Sequence, residues 1–237
     1  MAEKMEFVTN SSDGTIQYFA DSKFVYAKQD NEVFKLAIFD KNFYKLRIVN
    51  GVPILEIDGL RMHLIKDFKT PLDYCKEVVK TLNTNKYDCV LDTCTGLGYI
   101  AIEAAENSKR VVTCEMNGAV LSLAGWNPWS EKLFNNKKIE LREGDIGKEI
   151  YKMKTSSFSV IIHDPPRFSK AGYLYSAEFY KEMMRVAKKG ARLFHYVGSV
   201  GKERGREIDK EVSKRLREAG FTKIKYNPRL QGIVFQK

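Results

Sequence analysis

The chain is an α/β protein: a doubly wound, mostly parallel sheet, preceded by a small antiparallel β region. Three observations predict it. Short apolar runs ending near Asp92, Cys114, Arg142 and His163 recur at βαβ distances, with helical patterns between them. Gly96 and Gly98 form a turn between the first run and a helix start at Ile100-Ala101-Ile102, where a Cβ would hinder close approach. Polar groups stand at the ends of successive runs, where open parallel sheets bind ligands: Asp92, Glu115, Gly144-Asp145, and Asp164-Pro165-Pro166-Arg167.

The elements follow in order. Residues 1–65 are rich in aromatic and β-branched side chains, and strands are expected at 16–20, 23–27, 33–39, 44–49, 53–57 and 60–65. Ser11-Ser12-Asp13-Gly14, Asn50-Gly51 and Asp58-Gly59 are the turns, and no helix is expected here. This small domain, 1–68, should dock on the larger one, 69–237, and help shape its cleft. Thr70 caps a helix that Pro71 opens and that runs to about 82, burying Leu72, Cys75, Val78, Val79 and Leu82 against the sheet. A short helix over 116–125 leads to Trp126-Asn127-Pro128-Trp129, whose indoles are read first as packing anchors and second as stacking surfaces for a base. A strong helix from Ser176 ends at Lys188-Lys189-Gly190, and a fifth strand covers 192–197. A charged amphipathic helix over 203–219 ends at Gly220, and a hairpin of 221–226 with 232–235 closes the chain.

The 237 residues, 43% of them hydrophobic, suffice for a real core. Lys and Arg number 40 against 30 Asp and Glu, a net charge of +10, which favours a polyanionic partner such as RNA. Cys75, Cys89, Cys94 and Cys114 have no CxxC pairing, so reduced thiols and no metal site are expected. With no signal-like start and no long uncharged apolar run, the expected location is the cytoplasm, away from membranes.

Free amides at the glycine turn suit a nucleotide-like ligand, and Glu115, ending the second run, can accept both hydroxyl hydrogens of a ribose. On these residues, Asp92-x-Cys94-x-Gly96-x-Gly98 resembles the first motif of the class I S-adenosylmethionine-dependent methyltransferases, which have a Rossmann-like fold; Cys94 stands in the first glycine slot. The resemblance covers about residues 70–237 and implies an antiparallel strand at the C-terminal sheet edge. It implies S-adenosylmethionine as cofactor, with Asp92, Cys94, Gly96 and Gly98 near its methionine part, Glu115 on the ribose and Asp145 on the adenine amino group. Asp164-Pro165-Pro166-Arg167 would stand beside the reacting methyl.

Methyl transfer needs an aligned nucleophile, a proton acceptor when required, and exclusion of water. Asp164 can take the proton or hold an exocyclic amine between prolines that fix the backbone, Pro165 and Pro166. Arg167 can grip a phosphate, and Phe168 can stack on a planar ring. His195 and Tyr196 end the fifth strand beside the same cleft and bound the substrate pocket; His163 is read as a strand residue, and His63 has no assigned context. No cysteine stands near Asp164 or His195, which disfavours pyrimidine carbon-5 methylation. The sequence also resembles spermidine-synthase-type aminopropyltransferases, in its N-terminal hairpins and in Asp164-Pro165 followed by Leu174-Tyr175-Ser176. These features imply methyl transfer to RNA, with aminopropyl transfer to a polyamine and non-catalytic RNA binding as alternatives.

Overall fold

The computed structural model describes residues 5–198 and 208–237. Its N-terminal part forms two antiparallel sheets. The first comprises β1 (Glu6–Asn10), β2 (Ile16–Ala20), β3 (Val25–Gln29) and β4 (Glu32–Lys35); the second comprises β5 (Ala37–Asp40), β6 (Asn42–Val49), β7 (Val52–Ile57) and β8 (Leu60–Arg61). The run expected at 33–39 is thus split between two sheets. Leu36 is the joint: it is buried, its N–H donates to Val25 O at 2.8 Å, and its carbonyl accepts from Leu46 N at 3.0 Å. Strand β1 was not expected; it is held by pairing with β2 and by Phe7 set edge-on to Phe19. Both Asn50-Gly51 and Asp58-Gly59 have two successive positive φ values, as the tight hairpins of β6–β7 and β7–β8 require.

Beyond these sheets lie α1 (Pro71–Thr81), β9 (Cys89–Asp92), α2 (Tyr99–Glu106), β10 (Arg110–Glu115), α3 (Gly118–Trp126), α4 (Glu131–Asn135), β11 (Ile139–Glu143) and α5 (Ile146–Lys152). They are followed by β12 (Phe158–His163), α6 (Phe168–Ala171), α7 (Ala177–Val186), β13 (Ala187–Tyr196), α8 (Ile208–Glu218), β14 (Thr222–Asn227) and β15 (Gly232–Gln236). The seven strands are ordered β11-β10-β9-β12-β13-β15-β14. Strands β9 to β13 pair in parallel, and β15 runs antiparallel to both β13 and β14. The chain winds outward from β9 to β11 and returns to β12, so a switch point lies between β9 and β12, where such sheets open a crevice.

Helix α1 begins with Thr70 and Asp73 in a reciprocal capping box. Helix α7 ends at Val186 rather than at Gly190. Its chain enters β13 at once because Ala187 pairs with Phe158, and Gly190 (φ +76°) makes a bulge inside the strand, donating to Lys237 O at 2.9 Å. Gly220 (φ +99°) closes α8, whose expected beginning at 203–207 lies outside the described residues.

Alternate residues of the central strands face opposite layers. Val90, Val160 and Ile162 share one buried layer with α1 to α3 and with Leu46 and Leu55 of the N-terminal part, so the small sheets and the large one have a continuous core. Leu91, Ile161 and Leu193 face the other, with α5, α7 and α8. Trp126 lies 5.8 Å from the Phe34 ring, an anchor between the two parts, and packs with Trp129 against the first layer. All four cysteines are free thiols, and no helix among the described residues is long and apolar enough to cross a membrane.

Candidate active site

A cleft of about 1620 Å³ opens at the carboxyl ends of β9, β10, β12 and β13, roofed by the segment after β7. One end is built by the glycine turn. Gly96 (φ +54°) donates its N–H to Glu115 Oε2 at 2.9 Å, and Asn117 donates its own to Oε1 at 3.0 Å. Asn117 is anchored in turn, its Nδ2 donating to Tyr44 of the N-terminal part at 2.7 Å. Burial pushes Glu115 above the ordinary carboxylate range, opposed by the backbone amides of Gly96, Asn117 and Met116. Gly98 (φ +81°) is required twice over, because a Cβ there would stand 2.7 Å from Leu133. Cys94 lines the cleft with a thiol that burial pushes up, which leaves it a poor nucleophile.

Two expected cofactor residues sit differently. Asp92 has no exposed surface and does not line the cleft. Its Oδ2 accepts from Thr113 at 2.7 Å, Oδ1 has no partner among the described residues, and burial pushes the carboxyl up to about 8. Asp145 caps α5, accepting from Gly147 N at 2.8 Å, and the same oxygen accepts from Tyr173 Oη at 2.9 Å. The Tyr173 ring packs where a Cβ on Gly147 would stand 2.7 Å from it, and neither Asp145 nor Tyr173 is among the residues that line the cleft.

At the other end β12 delivers Asp164. Its Oδ2 accepts from Tyr74 Oη at 3.2 Å, and burial pushes the carboxyl up to about 7 against that bond. Tyr175 donates to Pro166 O at 3.1 Å and meets Phe168 edge-on at 5.4 Å, holding the Pro165-Pro166-Arg167 turn. Arg167 is exposed, Phe168 is 42% exposed, and both border the cleft with Tyr196. His195 does not border it. That ring is fully buried behind the wall, 2.9 Å from Tyr180 Oη and 4.3 Å from the His163 ring, and burial holds it well below the usual imidazole range. His163 is likewise internal, bonded to Thr93 Oγ1 at 2.7 Å and to Leu174 O at 3.0 Å.

Among the cleft residues that went unread in the sequence are Asn117, Tyr74 and His63, with Arg61 and Lys66 beside it. Tyr74 had a signal, since it falls at helical spacing between Pro71 and Val78 on the buried face of α1. His63, in the roof, had none.

No family model matches the chain. The protein MJ1233 of Methanocaldococcus jannaschii, whose name calls it uncharacterized, is 46% identical over 218 residues, which are 92% of this chain and 75% of that protein. The chain belongs to the MJ1233 family. MJ0928 of the same organism, whose name proposes protein N5-glutamine methyl transfer, is 31% identical over 114 residues, 48% of this chain and 54% of that one. Among solved structures, spermidine synthase from Thermotoga maritima covers all of this MJ1233-family chain, which covers 80% of the synthase, at 16% identity and a TM-score of 0.67. An S-adenosylmethionine-dependent methyltransferase from Aquifex aeolicus matches 68% of this chain and 87% of its own, at 18% identity and a TM-score of 0.51. Trm5b from Pyrococcus abyssi matches 93% and 62%, at 16% and 0.51. The fold of this MJ1233-family member is therefore the Rossmann-like one shared by S-adenosylmethionine-dependent methyltransferases and spermidine synthases.

Proposed function

We propose that the protein transfers a methyl group from S-adenosylmethionine to a nucleobase nitrogen of RNA. One observation carries the reading: Glu115 and the glycine turn open at one end of a single cleft, and Asp164, with a carboxyl pushed to about 7, opens at the other. The residues fit the cofactor. Each Glu115 oxygen receives one backbone N–H and keeps a lone pair for a ribose hydroxyl, and a Cβ on Gly96 would meet nothing within 4 Å, so the turn leaves room for a ligand. When bound, S-adenosylmethionine supplies an electrophilic methyl on a sulfonium.

Asp164 titrates near neutrality, so it can be ionised to accept a hydrogen bond or a proton from an exocyclic amine. Tyr74 orients it. Phe168 and Tyr196 present aromatic faces to a base, while Arg167, Arg61 and Lys66 at the cleft suit its phosphates. The net charge of +10 favours the same partner.

Titration calorimetry with S-adenosylmethionine and its decarboxylated form, on wild type and Glu115→Ala, followed by transfer of a labelled methyl into RNA, tests this. Binding of the carboxylated cofactor, lost in the variant, with label in RNA supports it; label absent from RNA sinks the acceptor. Aminopropyl transfer to a polyamine is the second reading. It is favoured by the spermidine synthase likeness, which includes the N-terminal part and has the higher TM-score, 0.67 against 0.51. Preference for the decarboxylated cofactor would put it first.

A further inference from the structure

His63 lies in the roof of the cleft, and its imidazole is oriented by two contacts. Nδ1 accepts the N–H of Leu55 at 3.2 Å, so the proton of the neutral ring is on Nε2. The ring rests on Tyr99, centroids 5.5 Å apart, and Tyr99 is pinned by its hydroxyl, which donates to Pro53 O and accepts from Asn127 Nδ2, each at 2.8 Å. Burial holds the His63 pKa down to about 4, so at neutral pH the group is an uncharged donor. Among the described residues Nε2–H has no hydrogen-bond partner, and the side chain borders the cleft beside Leu97, Tyr99 and Ile100, where the glycine turn enters α2. A fixed donor in that position is complementary to an oxygen on the ligand and unfavourable to a cation.

The two candidate cofactors differ at one group. S-adenosylmethionine carries a carboxylate beside its ammonium, and the decarboxylated form carries the ammonium alone. The stretch from 61 to 66 contains Arg61, His63 and Lys66 and no acidic side chain, whereas the carboxylates of the cleft stand elsewhere, Glu115 and Asp164 on the sheet below and Asp209 and Glu211 on α8. We propose that His63 recognises the carboxylate of the cofactor's methionine part through Nε2–H and so selects the carboxylated cofactor. This rests on the methyl-transfer reading.

Calorimetry with three ligands tests it: S-adenosylmethionine, its decarboxylated form, and methylthioadenosine, which has no amino-acid tail. His63→Phe should weaken S-adenosylmethionine about 10-fold and leave the other two unchanged. His63→Gln, whose amide can accept from Leu55 N–H and donate into the cleft, should restore most of the loss. Nitrogen-15 spectra of the wild type should show the proton on Nε2 and a shift of that signal with S-adenosylmethionine but not with methylthioadenosine; this reading does not depend on either variant folding. Equal weakening of all three ligands, no weakening at all, or the proton on Nδ1 overturns the assignment. If the wild type prefers S-adenosylmethionine and His63→Phe keeps that preference, His63 is excluded while methyl transfer stands. Wild-type preference for the decarboxylated form, or binding of neither, removes both.

Discussion

The cleft holds a carboxylate at each end, and the two are supported in different ways. Glu115 receives a backbone amide on each oxygen, at 2.9 and 3.0 Å, one of them from the turn that defines its end of the cleft. Asp164 receives one side-chain hydroxyl at 3.2 Å. Backbone donors cannot rotate away, so the Glu115 carboxyl is held in one place. Burial pushes both carboxyls up, and at Asp164 only the Tyr74 hydroxyl opposes it. On the methyl-transfer reading proposed above, that difference would separate a group that binds the cofactor from one that changes protonation.

Four substitutions or conditions test that division, beginning with the largest effect. Asp164→Ala should lower turnover by about 10²- to 10⁴-fold with little change in cofactor affinity measured by calorimetry; full turnover would end its assignment as proton acceptor. Glu115→Ala should do the reverse, weakening cofactor binding on the order of 100-fold through two lost charge-assisted bonds, with turnover at saturation far less affected. If both variants lost affinity equally, the two ends would not be functionally distinct.

A smaller effect concerns pH. Turnover should rise as Asp164 ionises through about pH 7. The Tyr74 hydroxyl stabilises the ionised form, so Tyr74→Phe should move that limb to higher pH, lowering the rate a few-fold near pH 6.5 and hardly at all at pH 9. An unmoved profile would make Tyr74 a packing residue only.

The smallest effect is on stability. A carboxyl raised from about 4 in the unfolded chain to about 7 in the fold contributes stability that is complete at low pH and is lost as pH rises through 7. Asp164→Asn removes that penalty. It should be more stable than wild type at pH 8 by on the order of 1 kcal/mol and show no advantage at pH 4, by urea unfolding. Equal stabilities at pH 8 would mean that Asp164 is not strained by its burial.

Much of the site follows from local pattern. The glycine turn, the Thr70–Pro71 helix start and the Asn50-Gly51 and Asp58-Gly59 hairpins depend on bonds within three or four residues and on backbone angles that few residue types adopt, so neighbouring letters suffice to place them. Where Glu115 and Asp164 stand was equally legible, because each closes an apolar run that becomes a parallel strand.

Other features depend on distant partners. Leu36 divides one β-prone run between two sheets because Val25 and Leu46 claim its backbone groups. Gly190 looks like a helix cap and is a bulge because Ala187 pairs with Phe158 and Lys237 takes its amide. His195 and Tyr196 are neighbours in one strand, yet period-two alternation turns the histidine into the wall and leaves the tyrosine at the cleft.

The sequence by itself determined the order of elements, the strand ends that open on the cleft and the acidic groups on them, since these arise from short-range hydrogen bonding and hydrophobic period. Only the tertiary structure decided which side chains face the cleft. Tyr74 reaches Asp164 across 90 residues of chain, Tyr44 steadies Asn117 across 73, and His63 enters the site because its ring rests on Tyr99 at the start of α2. Such contacts are set by how buried surfaces fit together, and no local pattern encodes that.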